Sequence, residues 1–577
     1  MKLQKYLTAT LLAVTTLGGM SSCSDDDSLG NAPRLFRPVA SLETNKNTVT
    51  ATWDNIKGAT RYDLKLFRVS GTDEAGENIY EECATTSCES SPYTFEDLAW
   101  DEKYRVEISC SGGEKSSNVY TTSDVNVPYA TKLKSVKTID NAARITWDEG
   151  GSQIKAIVAT PIEGEGEPVV KTLSEAQYEE GYVDINGLES NTKYTFSAYH
   201  DGEEFSNSTY EGRMTATTTK PIDFDTEYGA GMWLDIRDYP EDLAKDTLKT
   251  EEFWAEVEDG MTVILRGDFD YNVSNAQPIN KSVRFVTAAT LGGNARFISS
   301  SALTLAKGVD VNSIEFVNVD FYSDKAIEGG GNEVATNTDK GFGSRQVFNI
   351  NGVKCTLGSL KFTGCHIEGY RAVARAQGDG DNITNIELDN CVVNGIGDQG
   401  VFTTSNKSCD WKEVTMTNCT FTNIYMLCDF RKTTNQLTMN ISNCTFCYAP
   451  AEVTANANTP LFRFNDNPVV LNVTNTLFGP SMYTAGKGSP IVTNKAGEAG
   501  SIFLNGANAL VSVSKSFKTN FMWTAIGSGE AAKIYPLDGL QSLSFDETEL
   551  WSNPASGEFR IIGNVGEEGV GDPRWLQ

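Results

Sequence analysis

Ile386-Glu-Leu-Asp-Asn390-Cys-Val-Val393 reads as a short strand alternating large apolar and polar residues, then a corner residue, a small residue and an apolar anchor two positions further on. Five other segments repeat it: Ile314-Glu-Phe-Val-Asn318-Val-Asp-Phe321, Leu360-Lys-Phe-Thr-Gly364-Cys-His-Ile367, Val414-Thr-Met-Thr-Asn418-Cys-Thr-Phe421, Met439-Asn-Ile-Ser-Asn443-Cys-Thr-Phe446 and Leu471-Asn-Val-Thr-Asn475-Thr-Leu-Phe478. Successive corner positions are 46, 26, 28, 25 and 32 residues apart, the period of one coil of a parallel β-solenoid; the first gap has room for a further coil plus an insertion.

A period-two strand buries alternate residues, and stacking coil on coil brings equivalent residues into columns. The pattern therefore predicts a thiol column of Cys365, Cys391, Cys419 and Cys444. Beside it should run an apolar column of Phe321, Ile367, Val393, Phe421, Phe446 and Phe478. Asn318, Asn390, Asn418, Asn443 and Asn475 fall where the chain turns, because Asn tolerates the left-handed region and its amide can bond the amide of the next coil.

At 577 residues the chain is too long for one ordinary core. A formal charge of −29 argues against general affinity for nucleic acid or anionic lipid. Four of the twelve cysteines sit in the one-per-coil column and read as small buried apolar residues; Cys83 and Cys88 could close a small disulfide loop. Only His200 and His366 supply imidazole, and the single Cys-x-x-Cys pair, Cys444 and Cys447, has no second such pair to complete a zinc site, so a transition-metal enzyme is not expected.

The first 23 residues carry two lysines, an apolar run from Leu7 to Leu17 too short to span a membrane, and Gly18-Gly-Met-Ser-Ser-Cys23. This segment resembles a bacterial lipoprotein signal, which implies lipidation of Cys23; Met20 departs from the usual Leu. Ser24-Asp-Asp-Asp27 resembles the acidic export tag of Bacteroidetes surface lipoproteins. The localisation implied is the outer membrane, lipid-anchored and facing the exterior.

After a tether over residues 24–33, two segments, 34–128 and 129–223, show short alternating strands with turn signals at sandwich spacing. Val49-Thr-Ala-Thr-Trp53, Ala59-Thr-Arg-Tyr62-Asp-Leu64 and Leu98 through Tyr104 in the first, and Ala143-Arg-Ile-Thr-Trp147 and Leu188 through Tyr194-Thr-Phe196 in the second, resemble fibronectin type III domains. Residues 224–260 read as a linker and helical cap, with Thr250 as an N-cap before Glu251 and Glu252. Met261-Thr-Val-Ile-Leu265 is expected to open the first coil of a solenoid over 261–577, and resembles the opening strand of pectate-lyase-like right-handed β-helices. The ending, Gly571-Asp-Pro-Arg-Trp575, resembles the closing motif of Bacteroidetes surface proteins of that class, a resemblance that brings no catalytic residues with it. The fold class expected is all-β: two fibronectin type III-like β-sandwiches followed by a right-handed parallel β-helix with a short helical cap.

A second strand precedes each corner strand, and Arg375, Thr403, Arg431 and Arg463, spaced by 28, 28 and 32, are expected to stack on one face. Arg binds carboxylates bidentately, which suits uronate groups on an extended acidic polysaccharide. Over residues 340–538 there are 16 Lys and Arg against 14 Asp and Glu, so this stretch escapes the acidity of the whole. The alternative is that the arginines pair with Asp379, Asp381, Asp429 and Asp466 and merely solvate a strand face. Tyr370, Trp411, Tyr425 and Tyr448 lie in or beside turns and could stack against sugar rings, or could be packing residues. Gln377-Gly-Asp379-Gly-Asp381-Asn382 could hold Ca²⁺ through carboxylate and backbone oxygens, or be a plain inter-coil turn.

The function expected is binding of an acidic, uronate-containing polysaccharide through Arg375, Arg431, Lys432 and Arg463, with Tyr370, Trp411 and Tyr425 as stackers. An outer-membrane glycan transporter complex is a further expected partner, and nucleic acid is not. The competing readings are a lyase acting by β-elimination, with Arg375, Arg431, Lys432 and Asp429 available for its roles, and an adhesive or scaffolding surface protein. The Trp-Ile-Asp-His and Arg-x-Pro-x-x-Arg runs of calcium-dependent pectate lyases are absent, so the balance leans away from an enzyme.

Overall fold

The computed structural model describes residues 34–576, apart from positions 46, 74–75, 128–131, 148–152, 163–165, 207–208, 325, 327–344, 353, 406–407, 431–434, 453–459, 466, 485–490, 494–503, 507, 522–524, 527–532, 535 and 566–568. The chain divides into two compact units at Lys220–Pro221.

The first unit holds two β-sandwiches. Strands Ala40–Asn45, Thr48–Trp53 and Tyr93–Phe95 form one antiparallel sheet, and Asn78–Cys88, Arg61–Thr72 and Glu102–Gly112 form the body of its partner. The second sandwich repeats the plan: Leu133–Thr138, Ala142–Trp147 and Tyr182–Asn186 on one side, and Val169–Thr172, Ala156–Pro161, Lys193–Tyr199 and Tyr210–Thr217 on the other. Period-two alternation drives this packing. In Glu102–Gly112, Tyr104, Val106, Ile108 and Cys110 point inward while their neighbours remain partly exposed. Trp53 and Trp147 are buried in the two cores. The Tyr104 hydroxyl accepts from Ala99 N (3.1 Å) and the Tyr194 hydroxyl from Glu189 N (2.9 Å), each tying a strand start to the preceding corner. These are the sandwiches expected from the sequence. The Cys83–Cys88 loop left open by the sequence is not formed. Both thiols are free and lie on the one extended strand Asn78–Cys88, where five residues at about 3.3 Å each separate them by roughly 16 Å, far beyond disulfide reach.

The second unit is a parallel solenoid. Helices Phe224–Tyr228, Glu241–Ala244 and Glu251–Glu256 precede it, and the Thr250 hydroxyl caps the last by accepting from Phe253 N (3.3 Å). Ala244, Leu248, Phe253 and Trp254 share one core with Met261 and Val263, so the cap closes the open end of the first coils. The solenoid starts earlier than expected: Trp233–Asp235 already pairs in parallel with Met261–Leu265. Three residues without alternation give no strand signal of their own, and the neighbouring ladder creates the strand.

Three sheets build the solenoid, two of ten strands running along it and a third of six strands that begins at Gln346. Sheet A, before the corners, has ten strands, including Val283–Thr287, Asp310–Val317, Thr356–Thr363, Asn382–Asp389, Asp410–Thr417, Leu437–Ser442, Val469–Thr474 and Ala509–Ser514. Sheet B, after the corners, includes Asp270–Asn272, Ala295–Ser299, Val319–Ser323, His366–Glu368, Val392–Ile396, Thr420–Ile424, Thr445–Cys447, Leu477–Phe478 and Phe517–Lys518. Sheet C comprises Gln346–Ile350, Ala372–Ala376, Phe402–Thr404, Cys428–Asp429, Phe462–Asn465 and Leu504–Gly506. No coil hides in the 46-residue gap, because Val311–Val317 pairs directly with Leu357–Thr363; the extra length falls between Ser323 and Gln346.

The predicted columns are present. In sheet B, Phe421, Phe446 and Phe478 stack at 4.8 and 4.9 Å with nearly parallel rings. The corner asparagines sit at φ 53° (Asn318), 53° (Asn390), 55° (Asn418), 52° (Asn443) and 49° (Asn475). Asn475 Nδ2 donates to Asn443 Oδ1 and Asn443 Nδ2 to Asn418 Oδ1, both at 3.2 Å. Gly364 replaces Asn in one coil for a steric reason: a Cβ there would lie 2.2 Å from Asn318 Oδ1. The Cys365, Cys391, Cys419 and Cys444 thiols are buried and donate to backbone carbonyls, and burial pushes the Cys365 and Cys419 thiols up.

Candidate functional site

Alternation gives each solenoid sheet an outward face. On sheet C, backbone register aligns Asn349, Arg375, Thr403, Asp429 and Arg463 in one column. The expected row of guanidinium groups is thus corrected at one rung: Asp429 follows Thr403, and Arg431 lies two positions further on. Arg431 and Lys432 fall outside the described residues, as does Cys23. Arg463 Nη1 meets Asp429 Oδ2 at 3.3 Å, so this pair follows the salt-bridge alternative. Arg375 differs. Its Nε donates to the neutral Ser405 hydroxyl (2.9 Å), while the nearby Asp398 is taken by Arg371 (2.7 Å). Among the described residues Arg375 has no carboxylate partner. Burial, followed by the neighbouring Arg371 charge, pulls its pKa below the ordinary arginine value, the mark of a cation short of counter-charge.

The candidate stacking residues are not surface platforms. Tyr370 is wholly buried, with its hydroxyl 3.0 Å from Ser299 Oγ. Trp411 lies on an inward position of sheet A, its ring 5.3 Å from Phe430. Tyr425 is 8 % exposed, and Tyr448 belongs to a second core described below. An aromatic near a glycine-rich turn reads as exposed in sequence; here coil stacking covers each ring. The Asp379–Asp381 segment acts as an inter-coil turn. Asp379 accepts from Ser408 Oγ (2.6 Å), and the buried Asp381 accepts from Cys355 N (3.1 Å). Among the described residues no group of three or more His, Cys, Asp or Glu converges as metal ligands would.

Sheet A is outwardly self-paired: Arg284 meets Glu315 (3.6 Å) and Lys361 meets Glu387 (3.4 Å) in one column beside an open groove of about 560 Å³.

Sheet B carries two features the sequence reading missed. The first covers its lower coils. Gly571 N donates to Asn475 O, Asp572 N to Thr445 Oγ1 (3.0 Å), Thr420 Oγ1 to Asp572 Oδ2 (2.7 Å), and Arg574 Nη2 to Asn390 Oδ1 (2.6 Å). The closing motif, Gly571 and Asp572 followed by the 3-10 turn Pro573–Trp575, therefore runs along the solenoid axis, touching successive coils. Beneath it Cys447, Leu477, Leu550, Trp551 and Phe559 form a second core outside the solenoid interior. The second feature lies on the upper coils, which the closing motif does not reach. His366 Nε2 lies 2.7 Å from Glu368 Oε2, and the Tyr322 and His366 rings stack at 5.4 Å. Asp320 Oδ1 accepts from His366 N and Asn294 Nδ2, both at 2.9 Å, and Arg296 pairs with Asp270. Burial and then the Asp320 and Glu368 charges push the Tyr322 phenol up to about 12, so it stays protonated. The sequence signal was present in His366, which takes the outward position filled by Val392, Thr420 and Thr445 in the following coils.

No family model matches the chain. Among solved structures, a two-domain fibronectin type III segment of chicken tenascin is similar at 15 % identity, covering 31 % of this chain and 97 % of that one with a TM-score of 0.17. The FN1–FN3 domains of chicken CNTN1 are similar at 14 % identity, covering 33 % and 68 %, with a TM-score of 0.13. The sandwich assignment rests on this chain's own strand order and tyrosine corners.

Proposed function

We propose that this protein is a surface lipoprotein, anchored through Cys23, whose solenoid binds an extended, uronate-containing polysaccharide along sheet C. The carrying observation is Arg375, a half-buried guanidinium bonded to a neutral hydroxyl and left without a carboxylate. A planar, permanently charged fork in that state favours an incoming carboxylate, which would restore its charge balance and its bidentate geometry. The neighbouring rung offers Asn349 for a sugar hydroxyl at the strand spacing of about 4.8 Å, while Thr403 on the other side is buried and donates to Asp429 O. Asp429 and Arg463 neutralise each other, so the anionic contact is assigned to Arg375 alone among the described cations of the column.

Affinity electrophoresis in gels containing polygalacturonate tests this reading. Retardation of the full chain is expected, and Arg375→Ala should weaken it about tenfold, the loss of one charged hydrogen-bonded contact of roughly 1.4 kcal/mol. Unchanged retardation of the variant removes the reading. New absorbance near 235 nm during incubation with the same polymer would replace binding with β-elimination.

A further inference from the structure

On sheet B, the outward column that begins Asp320, His366 and Val392 continues as Thr420, Thr445 and Leu477. The chain's own ending fills the lower part, running from the Asn475 corner to the Asn390 corner with about one polar contact per coil. This half of the face accommodates a chain segment running along the axis, Asp572 extended and Pro573–Trp575 in a 3-10 turn. The same track continues upward past the half-exposed Val392 to His366, Glu368 and Tyr322, where the closing motif stops.

The upper part presents acceptors in excess. Glu368 is 6 % exposed, and its Oε1 is buried without a partner while Oε2 engages His366. With Nε2 turned to that carboxylate, His366 Nδ1 has no partner among the described residues, and neither has the Tyr322 hydroxyl. A purely structural cluster would satisfy these groups, because an unpaired buried acceptor costs about 1–3 kcal/mol. Of the ionisable side chains on this patch, Asp270, Asp320 and Glu368 outnumber Arg296, so an anionic ligand is disfavoured here, in contrast to sheet C. A donor-rich, uncharged chain with an apolar ring face suits the patch, and that is the chemistry of neutral sugar residues.

We infer that the upper half of sheet B, beyond the closing motif, is a second ligand face, taking neutral, hydroxyl-bearing sugar residues over Tyr322, His366 and Glu368. This inference rests on the glycan reading above but concerns a different face and a different sugar class. The two sites together fit a polymer with acidic and neutral stretches.

The test runs the full chain and the variants Tyr322→Ala, Glu368→Gln and Tyr322→Phe in gels containing galactan, arabinan, xylan or polygalacturonate, with circular dichroism and Tm confirming folding. At least one neutral glycan is expected to retard the wild type. Tyr322→Ala and Glu368→Gln should each lose about tenfold of that affinity and Tyr322→Phe less, with polygalacturonate retardation unchanged. Absence of retardation by every neutral glycan overturns the inference, as does full retention in both Tyr322→Ala and Glu368→Gln. Concentration-dependent dimerisation abolished by Tyr322→Ala also overturns it, because the occupant would then be a second copy. Loss of polygalacturonate retardation in Arg375→Ala alone leaves this result separate from the sheet C reading.

Discussion

The two halves of sheet B share one backbone and one register, yet end in opposite surroundings. In the lower coils Thr420, Thr445 and Leu477 are buried under the chain's own ending, and Cys447 and Leu477 have become part of a core. In the upper coils the same outward positions carry Asp320, His366 and, one column across, Tyr322 and Glu368. Small hydroxyl and apolar residues make a seat; titratable and aromatic residues make a face. A repeat therefore fixes where side chains point, and the residues placed at its outward positions decide whether that direction is surface or interior.

The sharpest way to break the contrast is to remove what covers the lower half. Trp551 is fully buried between Phe559 and the sheet, with its ring 5.4 Å from that of Phe559. Trp551→Ala is expected to destabilise the solenoid unit by about 3–5 kcal/mol in urea titration, the cost of an emptied aromatic site. A loss below 1 kcal/mol would mean that the second core contributes little and that the covered half is covered only by polar contacts. The next effect belongs to the corner that both halves share. Asn443 accepts from Asn475, donates to Asn418 and holds φ 52°, so Asn443→Ala loses a part-buried amide link and adds left-handed strain, together about 1–3 kcal/mol.

Those corners show why the fold was legible. An Asn every 25 to 32 residues, followed by Cys and then Phe or Val, encodes a left-handed corner, a small buried residue and an inward anchor in three consecutive choices. Trp53, Tyr104, Trp147 and Tyr194 do the same for the sandwiches. The face was less legible because its columns depend on strand offsets that spacing alone leaves uncertain by two residues. The sequence spacing of 28 pointed to Arg431, whereas pairing sets Asp429 beside Thr403, so that among the described residues the column holds an ion pair and one Arg bonded to a neutral hydroxyl. Burial of Tyr370 and Trp411 depends on neighbouring coils packing over turns, which no local pattern encodes. The closing motif could be recognised, but its seat on Thr420 and Asn390 is set by contacts more than 150 residues distant, with Asp572 and Thr420 separated by 152 positions.

A smaller effect sharpens the comparison through pH. Asp572 is buried in the seat; burial raises its pKa, outweighing the Arg574 charge and the Thr420 hydroxyl that lower it. A carboxyl with a raised folded-state pKa binds its proton more tightly when folded, so its contribution to stability is present below the ordinary value of 3.8 and is lost as pH rises through the folded value. Asp572→Asn keeps the shape and removes this titration. As pH rises from below 3.8 through the folded value, wild type should therefore lose stability relative to Asp572→Asn, read as a widening Tm difference in the variant's favour. A difference that does not change with pH would show that the seat holds Asp572 as a satisfied anion, its cost of burial fully offset by the hydroxyl and the guanidinium. In that case the lower half of sheet B would resemble the upper half, with a charge held at its surface, and the division of the face into seat and ligand platform would rest on the apolar residues Leu477 and Trp551 alone.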